Sequence, residues 1–87
     1  MELTDAQYKA LDRLYESGYG LFGDEKVPIS LRLLAMFMGT DEKTAETELR
    51  PLVAAGLIRE LTPEPHIRRK FYKITDTGVE EFEYARR

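Results

Sequence analysis

The chain has 87 residues, room for one domain and one core. Its composition, 43% hydrophobic and 33% charged, sets it with ordinary globular proteins and apart from disordered or collagen-like chains, and no apolar run approaches the roughly 20 residues a membrane-spanning helix needs. No cysteine and a single histidine, His66, exclude disulfides, thiolate metal sites and cysteine nucleophiles and leave too few ligands for a zinc cage. The start, Met1-Glu2-Leu3-Thr4-Asp5, lacks the basic stretch followed by apolar residues that marks a secretory signal. The expectation is one domain over residues 1–87, in the cytoplasm and away from any membrane. The net charge is −3, yet it is unevenly spread: residues 58–75 carry five Lys/Arg against two Asp/Glu, while residues 1–57 carry six against ten. One basic segment sits in an acidic molecule.

In chain order, Thr4-Asp5-Ala6-Gln7 reads as a capping box, with the threonine hydroxyl accepting from the third helical amide and Gln7 reaching back to the cap. Tyr8, Leu11, Leu14 and Tyr15 come next at helical spacing, so a first helix is predicted over about residues 5–17, ended by Gly18 and Gly20. Val27-Pro28-Ile29 predicts a short extended piece suited to a sheet edge, and Ser30 can cap the helix after it. Leu31, Leu34, Ala35 and Met38 share one face of this second helix, which Gly39 breaks. Thr40 or Asp41 caps a third helix whose stripe is Ala45, Leu49, Leu52 and Val53, running toward Gly56. Leu57, Arg59 and Leu61 then alternate, Pro63-Glu64-Pro65 interrupts, and Tyr72 and Ile74 alternate with Phe71, Lys73 and Thr75, the period of a strand pair. Beyond Thr77-Gly78, a last short amphipathic helix carries Val79 and Phe82.

This order resembles the winged-helix branch of the helix-turn-helix proteins over about residues 5–82. Ala35 matches the small residue that lets helices two and three approach, Gly39 the tight turn between them, Asp41 the cap, and Thr44-Ala45 the opening of the recognition helix. Gly56-Leu57-Ile58 looks like the family's exit into the first wing strand. Tyr72-Lys73-Ile74-Thr75-Asp76-Thr77-Gly78 is similar to its return strand and the helix start after it. The fold so implied is α+β: a winged helix-turn-helix with a three-helix core, a two-stranded hairpin wing and a short C-terminal helix.

The resemblance implies a transcription-regulator-like protein that places helix three in the major groove of double-stranded DNA and its wing on the backbone. On helix three the outward residues at 100° per residue are Lys43, Thr47, Arg50 and Ala54, with Thr44 and Glu46 at the margins and Glu42 and Glu48 nearer the protein. Arg50 suits a guanine edge or a phosphate, Lys43 a phosphate, and Thr44 and Thr47 the backbone or a thymine methyl. Glu46, four residues before Arg50, stands in the orientation of a helical salt bridge. On the wing, His66, Arg68, Arg69 and Lys70 gather charge, and Arg69, Phe71 and Lys73 share the strand face opposite Tyr72 and Ile74. The plainer readings are a solvated helix face and an edge strand charged to discourage pairing.

Two features depart from the family pattern. Pro51 lies inside helix three, removes the bond to the Thr47 carbonyl and predicts a kink. Leu33, Met36 and Phe37 form a second apolar face on helix two, to be covered by Tyr19, Leu21 and Phe22 or by another chain, a homodimer partner or a different protein. A winged-helix adaptor that contacts protein and not DNA therefore stands as the alternative. Gly18-Tyr19-Gly20-Leu21-Phe22-Gly23 spells the dinucleotide fingerprint, but it comes after a helix and no strand-turn-helix unit surrounds it. The adjacent carboxylates Glu80-Glu81 and Asp24-Glu25 have no second group to make an acid/base couple. The expectation is no enzyme, no catalytic or metal-binding residues, no cofactor and no evident small-molecule ligand.

Overall fold

A computed structural model describes residues 2–17, 27–62 and 69–85. His66, Arg68, Tyr19, Leu21, Phe22, the Pro63–Pro65 tip and the glycine-rich motif lie outside the described residues. The elements are α1 (Asp5–Glu16), β1 (Ile29–Ser30), α2 (Leu31–Met38), α3 (Glu42–Ala54), β2 (Ile58–Leu61), β3 (Phe71–Ile74) and α4 (Asp76–Ala85).

Helix α1 starts where its polar residues satisfy the free amides. The Gln7 amide donates to Thr4 Oγ1 at 3.1 Å, and the Thr4 amide donates to Gln7 Oε1 at 3.0 Å, completing the capping box. The same two side chains tie α1 to α3. Gln7, buried, donates from Nε2 to the Glu48 carbonyl at 3.1 Å, and the Thr4 hydroxyl donates to the Glu48 carboxylate at 2.8 Å. A buried amide is tolerated here because its donor and acceptor are both used.

Ser30 caps α2 by accepting from the Leu33 amide, and Gly39 closes it in the left-handed conformation at φ 73°. Gly39 donates back to the Ala35 and Met36 carbonyls, the αL geometry in which glycine carries no side-chain penalty. Asp41 then caps α3, accepting from the Thr44 amide at 2.7 Å, a bond that holds its carboxyl below the ordinary range. Helix α3 runs unbroken through the exposed Pro51, and the Ala55 amide donates to the Pro51 carbonyl at 2.9 Å, so helical bonding resumes beyond the missing donor.

The sheet holds three antiparallel strands in the order β1-β3-β2: the expected hairpin, β2 and β3, and at its edge the short extended piece expected around Ile29, β1. Ile29 pairs with Tyr72 and Ser30 with Phe71, which places β3 in the centre and leaves Pro28 beside an edge strand. Across β2 and β3, Ile58 faces Ile74, Arg59 faces Lys73, Glu60 faces Tyr72 and Leu61 faces Phe71. The alternation expected for Leu57, Arg59 and Leu61 is thereby revised: Leu57 and Ile58 are both buried, and Leu61 sits on the outer side with Phe71. Leu57 precedes the strand, so its burial belongs to the turn out of α3.

The core lies where α1, α2 and α3 meet the inner face of the sheet, through Leu11, Leu14, Leu34, Ala45, Leu49, Leu52, Ile58, Tyr72 and Ile74. Helix α4 closes one end with Phe82, whose ring lies 5.2 Å from Tyr8 and 4.9 Å from Tyr15. The Thr-x-x-Gly pattern of the return strand has a steric reason. Thr75 Oγ1 donates toward the Gly56 and Leu57 carbonyls and accepts from the Gly78 amide, and a Cβ on Gly78 would stand 2.0 Å from the Leu57 carbonyl oxygen.

Candidate nucleic-acid interface

The inner stripe of α3 fixes which residues look outward. Ala45, Leu49 and Leu52 are fully buried, so Lys43, Thr44, Thr47, Arg50 and Ala54 are exposed on the opposite side, as the 3.6-residue period requires. Glu48 is half-buried and bound by Thr4, whereas Glu42, expected nearer the protein, is exposed. Thr47 uses its hydroxyl proton locally, donating to the Lys43 carbonyl at 3.1 Å. What it offers outward is an acceptor oxygen and a methyl group. The N-terminus of α3 already holds the Asp41 carboxylate, so its amides are not an open anion site.

The wing meets α3 through a small ion cluster. Lys70, immediately before β3, donates to Glu46 Oε1 at 2.5 Å and has Glu60 Oε1 of β2 at 3.5 Å. Arg50 Nη2 lies 3.7 Å from the same Glu46 oxygen, so the i,i+4 pair foreseen on α3 is present but is the longer of the two Glu46 contacts. The Lys70 hydrogen bond holds the Glu46 carboxyl below its ordinary range, and the same bond raises Lys70. Three elements are thus joined through one ammonium group.

A groove of about 470 Å³ lies beside this cluster, bounded by Arg32 at the start of α2, Glu42, Lys43 and Glu46 on α3, and Arg69 and Lys70 before β3. Among the described residues, Arg32, Lys43, Arg69, Arg59 and Lys73 have no ion-pair partner. Of the residues expected from sequence to contact DNA, Lys43, Arg69 and Lys70 come together at this groove, with Arg50 joined to it through Glu46 and Thr44 and Thr47 on the adjoining face. Lys73 lies apart, half-buried on the outer face of the sheet beside Phe71.

Arg32 and Arg59 were missed in sequence. Arg32 follows the Ser30 cap on the first turn of α2, and only the pairing of β1 with β3 brings it beside the segment before β3, where the Leu31 amide donates to the Lys70 carbonyl at 2.9 Å. Arg59 needed the strand register, which sets it directly across from Lys73, a like-charge pair that costs stability in an isolated sheet.

The second surface foreseen in sequence is also present. Leu33, Met36 and Phe37 are 41%, 70% and 40% exposed, and the Arg13 guanidinium lies 4.1 Å from the Phe37 ring centroid. Part of this face is therefore covered by α1, a cover that sequence reading did not foresee. Among the described residues, no three His, Cys, Asp or Glu side chains are grouped to hold a metal ion, and no helix is long and apolar enough to cross a membrane.

No protein-family profile matches the sequence, and no curated protein matches it. Solved structures do. NadR, solved in complex with 4-hydroxyphenylacetate, superposes with a TM-score of 0.74 at 27% identity, over 93% of this chain and 51% of that one. A probable transcriptional regulator from Pseudomonas aeruginosa gives 0.74 at 27%, over 93% and 55%. MepR of S. aureus in complex with DNA gives 0.77 at 22%, over 95% and 61%. The chain spans about half the length of the regulators it matches, and its fold is the winged helix.

Proposed function

We propose that this winged-helix domain binds double-stranded DNA as part of a transcriptional regulator, with α3 in the major groove and the basic wing on the phosphate backbone. The observation that carries the reading is the convergence of Arg32, Lys43 and Arg69 on one groove, all without ion-pair partners among the described residues, in a chain whose net charge is −3. Three cations without such partners, beside Glu42 and the Lys70-bound Glu46, leave a net positive potential at the groove where a polyanion can dock. The likeness to regulators, one of them solved on DNA, supports the same reading.

In this account Lys43, Arg69 and Lys73, with His66 and Arg68, contact phosphates, and Thr44, Thr47 and Arg50 face base edges. Lys70 joins them once released from Glu46. The test is fluorescence anisotropy of a labelled mixed-sequence duplex between about 20 and 200 mM salt. Binding that weakens as salt rises supports the reading; no binding at about 20 mM overturns it.

A second reading, contact with another protein chain, draws on the exposed Leu33 and Met36. In it, the exposed face of α2 meets a homodimer partner or a different protein; Tyr19, Leu21 and Phe22, expected from sequence to join it, lie outside the described residues. Light scattering with and without duplex separates the two: a monomer that stays monomeric on DNA removes the homodimer.

A further inference from the structure

Glu46 occupies an unusual place for an acid on a proposed phosphate-binding surface. It is the one residue of α3 that touches both a helix cation, Arg50, and the wing cation, Lys70, among the described ion pairs. Its side chain is 25% exposed, against 74% for Arg50, so it is the better shielded member of the pair and lies at the wall of the groove rather than out in solvent. A carboxylate oxygen set between a guanidinium and an ammonium group sits where a phosphate oxygen would be received by the same two donors.

We propose that Glu46 is a built-in competitor for nucleic-acid phosphate: in the free protein it holds Lys70 and Arg50, and DNA must displace it before those two cations become available. The proposal rests on the DNA-binding reading above and assigns Glu46 the role of limiting indiscriminate affinity. An encounter that offers only phosphate must break the Lys70 contact. A site that also satisfies the exposed face of α3 gains base contacts that offset this loss, so selectivity rises as overall affinity falls. Glu60 shares Lys70 and contributes in the same direction, but at 3.5 Å it is the weaker holder.

The test compares the full chain carrying Glu46→Gln with one carrying Glu80→Gln, an exposed carboxylate on α4 that has no ion-pair partner among the described residues. Both changes remove one negative charge, so bulk electrostatics are matched. On a mixed-sequence duplex, Glu46→Gln is expected to bind tighter than Glu80→Gln. Its slope of log K against log salt should be steeper by about 0.9, one further phosphate contact through Lys70, so that its advantage shrinks ~3-fold between 50 and 200 mM salt. In a Lys70→Gln, Arg50→Gln background the advantage should vanish, because nothing is left to unmask. Thermal melts of each variant verify that the fold is kept.

If Glu46→Gln gains no more than Glu80→Gln, or keeps its full gain without Lys70 and Arg50, the masking role is wrong while the DNA reading stands. If Glu46→Gln instead weakens binding to particular sequences, Glu46 is a base reader, which also overturns the proposal. If wild type and both variants all fail to bind duplex at about 20 mM salt, the DNA reading itself has failed and the masking role falls with it.

Discussion

The two faces of α3 are built by opposite rules. On the inner side, Ala45, Leu49 and Leu52 are fully buried and the Glu48 carbonyl and carboxylate are bound by Gln7 and Thr4, so apolar area and polar groups alike are spoken for. On the outer side, Lys43 has no ion-pair partner among the described residues, and Arg50 has only a long one. The contrast teaches that a count of charges says little about available charge: Lys70 and Arg69 each carry one positive charge, yet only Lys70 is held by two acids. It also separates the residues that mainly set stability from those that mainly set binding.

The largest expected effect is on the inner face. Leu49→Ala should cost about 2–5 kcal/mol in denaturant unfolding, since a fully buried leucine leaves a cavity. A cost under ~1 kcal/mol would mean that α3 is not anchored through this stripe. Gly78→Ala comes next, at about 1–3 kcal/mol or more, because its Cβ meets the Leu57 carbonyl oxygen at 2.0 Å, a backbone atom that cannot swing aside, as well as Ile74 Cγ1 at 2.8 Å. Gln7→Ala should cost about 1–3 kcal/mol through the amide of Thr4 and the carbonyl of Glu48 that it leaves unpaired.

On the outer face the order reverses. Arg69→Ala should change stability by less than ~0.5 kcal/mol yet weaken DNA binding for all sequences and flatten the salt slope by about 0.9, whereas Arg50→Ala should relax sequence preference. Equal loss of selectivity from both would remove the division between backbone and base contacts. The smallest effect is with pH. The Asp41 and Glu46 carboxyls are held below their ordinary values, by the Thr44 amide and by Lys70 respectively, so their contribution to stability is complete above the ordinary carboxylate range and is lost as pH falls through their depressed values. Thermal melts from about pH 6 down to about pH 3 should show Asp41→Asn and Glu46→Gln losing less stability than wild type; identical slopes would contradict the assigned partners.

The local rules of the sequence carried most of the fold. The Thr4–Gln7 capping box, the Ser30 and Asp41 caps, the Gly39 turn and the stripe on α3 all depend on residues within four positions of one another, and spacing alone exposes them. Pairings between distant segments were harder to read. The third strand depends on Ile29 meeting Tyr72, and the sidedness of Leu61 on a register that no short window contains. The candidate site divided in the same way. Lys43, Thr47 and Arg50 could be placed outward from the helix period, but the choice of Lys70 over Arg50 as the principal partner of Glu46 depends on how close the wing comes to α3, which is decided by the fold.

The most direct test of the central claim is an amide chemical-shift titration of the full chain with a short duplex at about 20 mM salt. The account predicts fast, salt-sensitive shifts concentrated at Arg32, at Lys43 through Arg50, and at Arg69 through Lys73. Shifts confined to Leu33 through Phe37, or no shifts, would contradict it.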